Sequence, residues 1–543
     1  MQAAAALPAV LVLVPVLGLA VLAAHGSGSL WPHLLLYVLP DAVYQTLLLL
    51  VGTGALAAAV GVGAAWLVTG FSFPGRRLLE WALLLPLAVP TYIVAYAYVD
   101  VLHPLGPMQS ALRAMLGIAE VRGLVLPDIR SMPGCIVVLG FVLYPYVYLN
   151  TRAALVMQAA EAIEAARCLG ASGSVLLRRV VLPMAGPAIG VGVGLVLMEV
   201  LADIGASEFL GVRTLTVAVY VTWTTRGAVE GAAQIALVML ALTFAVLAAE
   251  RALARRRDQG GTGERNEARQ PLPPARAWLA TLACLVPVLI GFGLPALHLA
   301  VNSWIRVSEF GLPPGLATWV WNSVRFAVLA TAATIGAGFL IAFCHRHVGG
   351  ALASFCLRIS ALGYALPGTV LAVGLLAPMA WFDRLAAAVA GLFGAFPPSL
   401  LLSGSMAALV LAYTVRFLAI PTAALESAYG RIPVAVDDVA RALGAHDGAL
   451  ARRVHLPLLS PALGAAALLV LIECMKELPA TLLLRPLNVE TLATHVYAEA
   501  SRGTYEDGAV AALAIVVVGL LPVALLVQAA RARAAMSRKP ETF

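Results

Sequence analysis

Two stretches decide the fold: EAIEAARCLGASGSVLLRRVVLPMAGPA at residues 161–188 and VAVDDVARALGAHDGALARRVHLPLLSPA at residues 434–462. Each reads as a polar helix, a glycine, a basic amphipathic segment, and Leu-Pro at the start of an apolar helix. Pro183 and Pro457 mark helix starts, because proline is tolerated in the first helical turn. Gly170 and Gly444 allow a turn between two short helices. Both stretches therefore predict a helical loop held by a helix that continues into a membrane.

The composition around these loops is that of a membrane protein. Of the 543 residues, 61% are hydrophobic and 12% are charged, whereas soluble domains are about half apolar and a quarter charged. Apolar stretches long enough to cross a bilayer recur along the chain. We predict an all-α polytopic membrane protein with about 12 helices, near residues 7–24, 43–69, 79–101, 134–150, 184–203, 232–250, 277–299, 318–344, 357–380, 403–420, 458–475 and 509–529.

Two polar features bound these helices. Residues 251–276 are rich in Arg, Gly and Pro and predict a flexible cytoplasmic linker. The apolar segment near the N-terminus ends in small residues, as a signal peptide does, but no Lys or Arg precedes it. We therefore interpret it as the first membrane helix.

The basic residues predict the orientation. With the linker in the cytoplasm and the helices alternating, 24 of the 35 Lys and Arg residues fall on the cytoplasmic side. The positive-inside rule then places both termini in the cytoplasm. This role for the arginines also explains the net charge of +7 without a nucleic-acid partner.

The halves of the chain repeat one another, which indicates a duplication. We predict a first unit at residues 1–250 and a second at 277–543. Because each has an even number of helices, both insert in the same direction and are related by a pseudo-twofold axis along the membrane normal. Residues displaced by 274 positions are Glu164, Ala166, Gly170, Leu182 and Pro183, matched by Asp438, Ala440, Gly444, Leu456 and Pro457. Gly61 and Gly63 similarly recur as Gly336 and Gly338.

The two loops resemble the EAA loop of binding-protein-dependent ABC importer permeases. Residues 161–183 match its pattern fully, and Glu164, Ala165 and Ala166 form the Glu-Ala-Ala motif. Residues 435–457 match it less well, because Asp438 and Val439 replace the Glu and the first Ala of the motif. In that family the loops dock into two ATPase subunits, and a periplasmic binding protein delivers the substrate. The resemblance implies an inner-membrane transport subunit that contacts lipid, bears the two loops as its ATPase-coupling residues and is not itself an enzyme.

The chain lacks an ATP site of its own by sequence. A phosphate loop needs Lys followed by Ser or Thr, but Lys476 precedes Glu and Lys539 precedes Pro. We therefore expect no cofactor on this chain, with ATP used by partner subunits. An ion-coupled secondary transporter or a membrane scaffold would not need the two loops, and both stay open as alternatives.

Three further runs are similar to fused permeases of the ferric-iron branch. They are LAVPTYIVAYAYVDVL (87–102), ADIGASEFLGVRTLTVAVYVTW (202–223) and MKELPATLLLRPLNVETLATHVY (475–497). The resemblance implies ferric iron as substrate, with thiamine, phosphonate and polyamine as alternatives.

Acidic residues bear on the substrate. Glu199 and Asp203, and likewise Glu473 and Glu477, are spaced i, i+4 near the outer ends of two helices, so each pair shares a helix face. Acidic groups at that depth usually face a cavity or a partner. We interpret the four as candidate residues of a cation path. The structural alternative is neutralisation by Lys476, Arg213 or Arg485.

His345 and His347 flank Arg346 at a predicted cytoplasmic helix end. We interpret them as residues that interact favourably with the helix dipole or that help to set the membrane orientation. The six cysteines are scattered, without a CxxC spacing. Sequence alone therefore predicts no bound metal.

Overall fold

A computed structural model describes residues 2–118, 120, 123, 126–157, 166, 168–170, 173–254, 270–393 and 400–536. Of these described residues, 83% are helical, as expected where backbone groups must be satisfied without water. The elements are α1 Gln2–His25, α2 Leu30–His33, α3 Leu39–Gly70, β1 Phe71–Ser72, α4 Arg76–Ala82, α5 Thr91–Val101, α6 Pro107–Leu116, α7 Met132–Met157, α8 Gly173–Leu176, α9 Leu182–Ala202, α10 Gly205–Phe209, α11 Leu215–Thr224, α12 Val229–Ala254, β2 Gln270–Pro271, α13 Pro274–Val288, α14 Leu294–Phe310, α15 Leu316–His347, α16 Gly350–Ser360, α17 Gly368–Leu392, α18 Met406–Phe417, α19 Ala419–Tyr429, α20 Val434–Ala442, α21 Asp447–Leu450, α22 Leu456–Lys476, α23 Pro479–Leu484, α24 Leu492–Arg502 and α25 Tyr505–Met536.

Short irregular helices connect some of these elements. They include 3₁₀ turns at Leu85–Ala88 and Gly363–Ala365 and π-helical turns at Leu34–Val38, Leu177–Val181, Leu289–Gly293 and Ala451–His455. Strands β1 and β2 form a two-residue parallel pair. Most of the predicted linker, residues 255–269, lies outside the described residues.

Ten described helical segments are long and apolar enough to span a membrane, or 12 if each bent pair is one span. This confirms the predicted class of polytopic helical membrane protein. One bent pair, Arg76–Ala88 with Thr91–Val101, turns by 92° around Pro90. The predicted helix at 357–380 is misplaced: α17 begins only after Pro367, because the residue before a proline avoids the helical region, and Leu366 is extended.

The described residues form two compact units, each with segments from both halves of the sequence. The α3 unit comprises residues 39–217, 241–313 and 496–543, and the α15 unit comprises residues 1–38, 218–240 and 314–495. The predicted division at residues 251–276 concerns the duplication and stays a prediction. Sequence reasoning did not foresee that helices at the ends of each half join the other half's compact unit.

Within the α3 unit, α3 packs on α7 and α9, while α14 packs on α25 and α5. Within the α15 unit, α1 packs on α15, α16 and α17, and α15 packs on α18, α19 and α22. Beneath the second loop the α15 unit has a buried apolar cluster of Ala342, Leu425, Tyr429 and Leu459. This cluster packs the ends of α15, α19 and α22 together.

The duplication is visible in the elements. Helices α3 and α15 each have 32 residues, and α9 and α22 each have 21. Their alignment pairs Gly61 with Gly338, rather than with Gly336: a Cβ on Gly61 would meet Val147 in α7, and one on Gly338 would meet Pro421 in α19. The two glycines therefore occupy corresponding helix crossings, displaced by 277 positions.

Candidate functional site

The second loop is a helix, a tight turn, and a short helix that leads into the membrane helix α22. Helix α20 ends at Ala442, and Gly444 follows with φ +82°, a conformation that only glycine adopts at low cost. The amide of Ala445 donates to the carbonyl of Ala440 at 3.0 Å, as in a Schellman C-cap. His446 then caps α21 by accepting from the amide of Ala449 at 3.2 Å. The turn between α20 and α21 is therefore held by the loop's own hydrogen bonds.

One arginine fixes this loop to the end of α15. Arg346 donates from Nε to Oδ2 of Asp437 at 2.9 Å and from Nη2 to the carbonyl of Ile432 at 2.9 Å. Asp437 is buried near the start of α20. Its charge-assisted hydrogen bond with Arg346 therefore attaches α20 to the end of α15. Asp438, the residue at the motif position, is exposed. The loop thus keeps one carboxylate inward for anchoring and presents the other outward.

The first loop repeats this construction where it is described. Ala166 is helical, and Gly170 has φ +80°. Helix α8 and a π-helical turn follow, and they lie 274 positions before α21 and its π-helical turn. Glu164 and Ala165 lie outside the described residues. The predicted shared loop geometry is therefore observed at Gly170 and again from Gly173 onward.

Each loop ends in the Leu-Pro pair that the sequence singled out. Leu182 and Leu456 are the first residues of α9 and α22, with Pro183 and Pro457 immediately inside. In both cases the π-helical turn continues directly into the membrane helix. Each loop is therefore continuous in the chain with a membrane helix.

Exposed leucines mark the loop tips, and sequence reasoning missed them. Leu169 and Leu443 precede the two glycines, and their accessible fractions are 88% and 83%. Val434 and Val439 on α20 are also mostly exposed. Apolar side chains exposed in a patch mark interaction surfaces. The recurrence of Leu before Gly at the 274 displacement was the signal that could have found them.

Two of the four acidic residues cap short helices. The Asp203 carboxylate accepts from the amide and hydroxyl of Ser207 at 2.8 and 3.0 Å and from the Thr91 hydroxyl at 2.6 Å. Glu477 accepts in the same way from the amide and hydroxyl of Thr481 at 3.1 and 2.9 Å. Both residues are buried. Their hydrogen bonds begin α10 and α23, the short helices that follow the membrane helices.

Cations accompany the acidic residues of the second half. Lys476 Nζ lies 2.7 Å from Glu473, and Arg416 Nη1 lies 3.4 Å from Glu477. Of the predicted neutralising residues, Lys476 therefore pairs with one of the four, whereas Arg485 donates to the carbonyl of Val489. The structure does not present four uncompensated carboxylates, so charge alone gives less support to a cation path than the sequence suggested.

Residues 57–259 match the family described as "Binding-protein-dependent transport system inner membrane component". The chain is 23% identical over 500 residues to the Fe(3+)-transport system permease protein FbpB 2 of Haemophilus influenzae, covering 90% of this chain and 89% of that protein. It is 34% identical over 146 residues to the sulfate transport system permease protein CysW of Escherichia coli, covering 27% and 47%. It is 29% identical over 228 residues to the molybdenum transport system permease protein ModB of Escherichia coli, covering 40% and 96%.

Proposed function

Because the chain belongs to the binding-protein-dependent ABC importer permeases, we propose that it carries ferric iron across the bacterial inner membrane. One observation carries the choice of substrate: the similarity to a ferric-iron permease extends over 90% of this chain. The sulfate and molybdenum permeases match shorter parts of it. The chain contributes the path, and other subunits contribute ATP hydrolysis and substrate capture.

The loops support docking of two ATPase subunits, one on each. Each offers an exposed leucine beside a left-handed glycine and continues into a membrane helix. Closure of the ATPases would push the loops, and α9 and α22 would carry the motion into the membrane. The contrast between the exposed Asp438 and the anchoring Asp437 supports α20 as a docking surface. Both termini lie in the cytoplasm in this proposal, as the distribution of arginines favours.

The purified complex tests the division of labour. We expect the chain to co-purify with two copies of an ATP-binding subunit and to hydrolyse no ATP when isolated. Hydrolysis by the isolated chain, with contaminating ATPases excluded, would contradict the proposal.

Uptake measurements test the substrate. Cells that express the whole operon, and lack other ferric-iron importers, should accumulate radiolabelled iron in a manner that requires this chain. The control is the same operon with Gly170→Pro, since proline cannot adopt φ +80°. Iron uptake that is independent of the chain would overturn the substrate while leaving the permease family intact.

An oxyanion is the second candidate. The sulfate and molybdenum permeases are more identical to this chain over the parts they match, and Glu473 and Glu477 have cationic partners. Uptake of labelled sulfate and molybdate in the same cells separates the candidates. Thiamine, a phosphonate and a polyamine complete the panel.

A further inference from the structure

Two imidazoles and a carboxylate meet at the cytoplasmic end of the α15 unit. They belong to His347 at the end of α15, Asp437 in α20 and His455 in the π-helical turn before α22. One ligating atom of each side chain lies within 4.8 Å of those of the other two. We propose that these three side chains bind one divalent first-row transition metal ion, which ties α20 to α15 and α22.

The ligand set suits such an ion. Neutral imidazole favours zinc, iron, copper and nickel, and two histidines with one carboxylate leave further positions for water. Ligands about 2.0–2.1 Å from a tetrahedral ion lie about 3.3 Å apart. His455 Nε2 and Asp437 Oδ1 are 3.1 Å apart, which matches. His347, partly exposed at the edge, closes the remaining distance by a side-chain rotation.

The second observation is that the ligating atoms lack other partners. His455 is fully buried. The 3.1 Å approach of His455 Nε2 to Asp437 Oδ1 pairs these two atoms with each other, whereas His455 Nδ1 and His347 Nε2 have no hydrogen-bond partner among the described residues. Buried polar atoms are nearly always paired, so an ion between them would satisfy groups that the protein leaves unsatisfied.

The cluster is specific to the second half. By the displacements of 277 for α15 and 274 for the loops, the first-half counterparts of His347, Asp437 and His455 are a glycine, an isoleucine and a valine: Gly70, Ile163 and Val181. None of these side chains binds metal. The first loop nevertheless has the same left-handed glycine, π-helical turn and Leu-Pro start. The shared geometry therefore does not require the cluster, which is an added feature of the second loop.

Two arginines act on the site in opposite directions. Arg346 bonds Asp437 through Oδ2, which orients the carboxylate and leaves Oδ1 for the ion, as outer partners of metal ligands do. Arg441 shares a 3.3 Å hydrogen bond with Nδ1 of His347. Arg441 therefore either competes with the metal ion for Nδ1 of His347 or stabilises the tautomer of His347 that is unfavourable for metal binding. Because Arg441 also lies 3.9 Å from Asp447, it has another partner when the metal binds.

Cobalt(II) is the probe, because its visible d–d absorption reports coordination directly. The purified complex of the chain with its ATPase subunits, with any polyhistidine tag removed, is titrated with Co²⁺, and bound metal is counted per chain. We expect one tight Co²⁺ with a visible spectrum of nitrogen and oxygen ligation, displaced by Zn²⁺. His347→Gln and Asp437→Asn each remove a coordinating group and should abolish tight binding of Co²⁺.

The matched control is His345→Gln, which removes an imidazole from the same helix end but outside the cluster. It should bind Co²⁺ as the wild type does, and Arg441→Gln should bind it more tightly. His347 is partly exposed, so its variant should fold even if a change at buried His455 does not. An absent spectrum in the wild type, or wild-type binding by His347→Gln, would show a plain contact between Asp437 and His455. Neither result depends on which substrate the complex transports.

Discussion

Leu169 and Leu443 occupy the same place in the two loops: each immediately precedes a glycine of φ near +80° and is more than four-fifths exposed. The 274-residue displacement that relates the loops also relates these leucines. Both side chains therefore have little packing against the described part of the chain. They are available for contact with a partner protein.

Replacing these leucines should weaken ATPase docking. Leu169→Ser and Leu443→Ser each remove an apolar anchor, and burying a leucine at an interface contributes about 1.5–3 kcal/mol. We expect less ATPase subunit to co-purify with each variant, and little with the double variant. Leu487→Ser is the control, because Leu487 is 99% exposed in the segment after α23. Unchanged recovery of the ATPase with the double variant would refute the docking role.

The left-handed glycines give a second prediction about coupling. A Cβ in the left-handed region costs roughly 1–2 kcal/mol, so Gly170→Ala and Gly444→Ala should distort the loop tips while the protein still inserts. We expect reduced transport per ATP hydrolysed. Gly173→Ala and Gly448→Ala make the same change in the same loops at positions without positive φ. If all four variants transport alike, the turn geometry does not matter for coupling.

Local sequence signals predicted much of the fold. The apolar runs predicted most of the membrane helices, because a segment inside the bilayer has to make all of its backbone hydrogen bonds within the segment. Errors came where proline breaks a run: the helix predicted at 357–380 contains Pro367, which separates α16 from α17. Tertiary packing decides which compact unit each terminal helix joins, and no short-range sequence pattern encodes that choice.

The loops were predicted in the same way, since Gly and Leu-Pro fix local geometry. Their anchoring was not. His347, Asp437 and His455 lie up to 108 positions apart in the sequence, and only packing of α15, α20 and α22 brings them together. The acidic residues show the converse: Asp203 and Glu477 were noticed by spacing, but their capping bonds depend on the chain turning directly after them.

The Arg346–Asp437 pair should contribute strongly to stability. Both side chains are largely buried, and removing one partner of a buried pair typically costs about 3–5 kcal/mol. Arg346→Met should therefore lower the melting temperature of the permease, measured with chelator present so that no metal contributes. The control is Arg452→Met, which removes the same positive charge from an exposed residue of the loop. Equal melting temperatures for the two variants would show that the pair does not anchor α20.

Capping and transport roles can be separated in the fifth predicted helix. Asp203→Ala leaves the amides of Ala206 and Ser207 without the carboxylate, and each buried donor without a partner costs about 1–3 kcal/mol. We expect a clear fall in melting temperature. Glu199→Ala, four residues earlier and only partly buried, should change it little. A larger fall for Glu199→Ala would reverse the assignment of the structural residue.

Glu199 and Glu473 remain the candidates for contact with ferric iron, and the ion pair of Glu473 with Lys476 allows a sharp test. Glu199→Gln and Glu473→Gln remove charge while keeping shape, so we expect each to reduce iron uptake and the double variant to lose it at normal expression. Glu473→Gln also removes one partner of Lys476, so that the local charge becomes more positive and would repel a cation without any direct role for the carboxylate. The variant with both Glu473→Gln and Lys476→Gln removes that complication, and Lys476→Gln alone is its control.

If the carboxylate of Glu473 contacts the substrate, iron uptake stays low when both charges are removed. Recovery to the wild-type rate would reduce Glu473 to a counter-ion of Lys476, and unchanged uptake in the Glu199 and Glu473 double variant would make both residues structural.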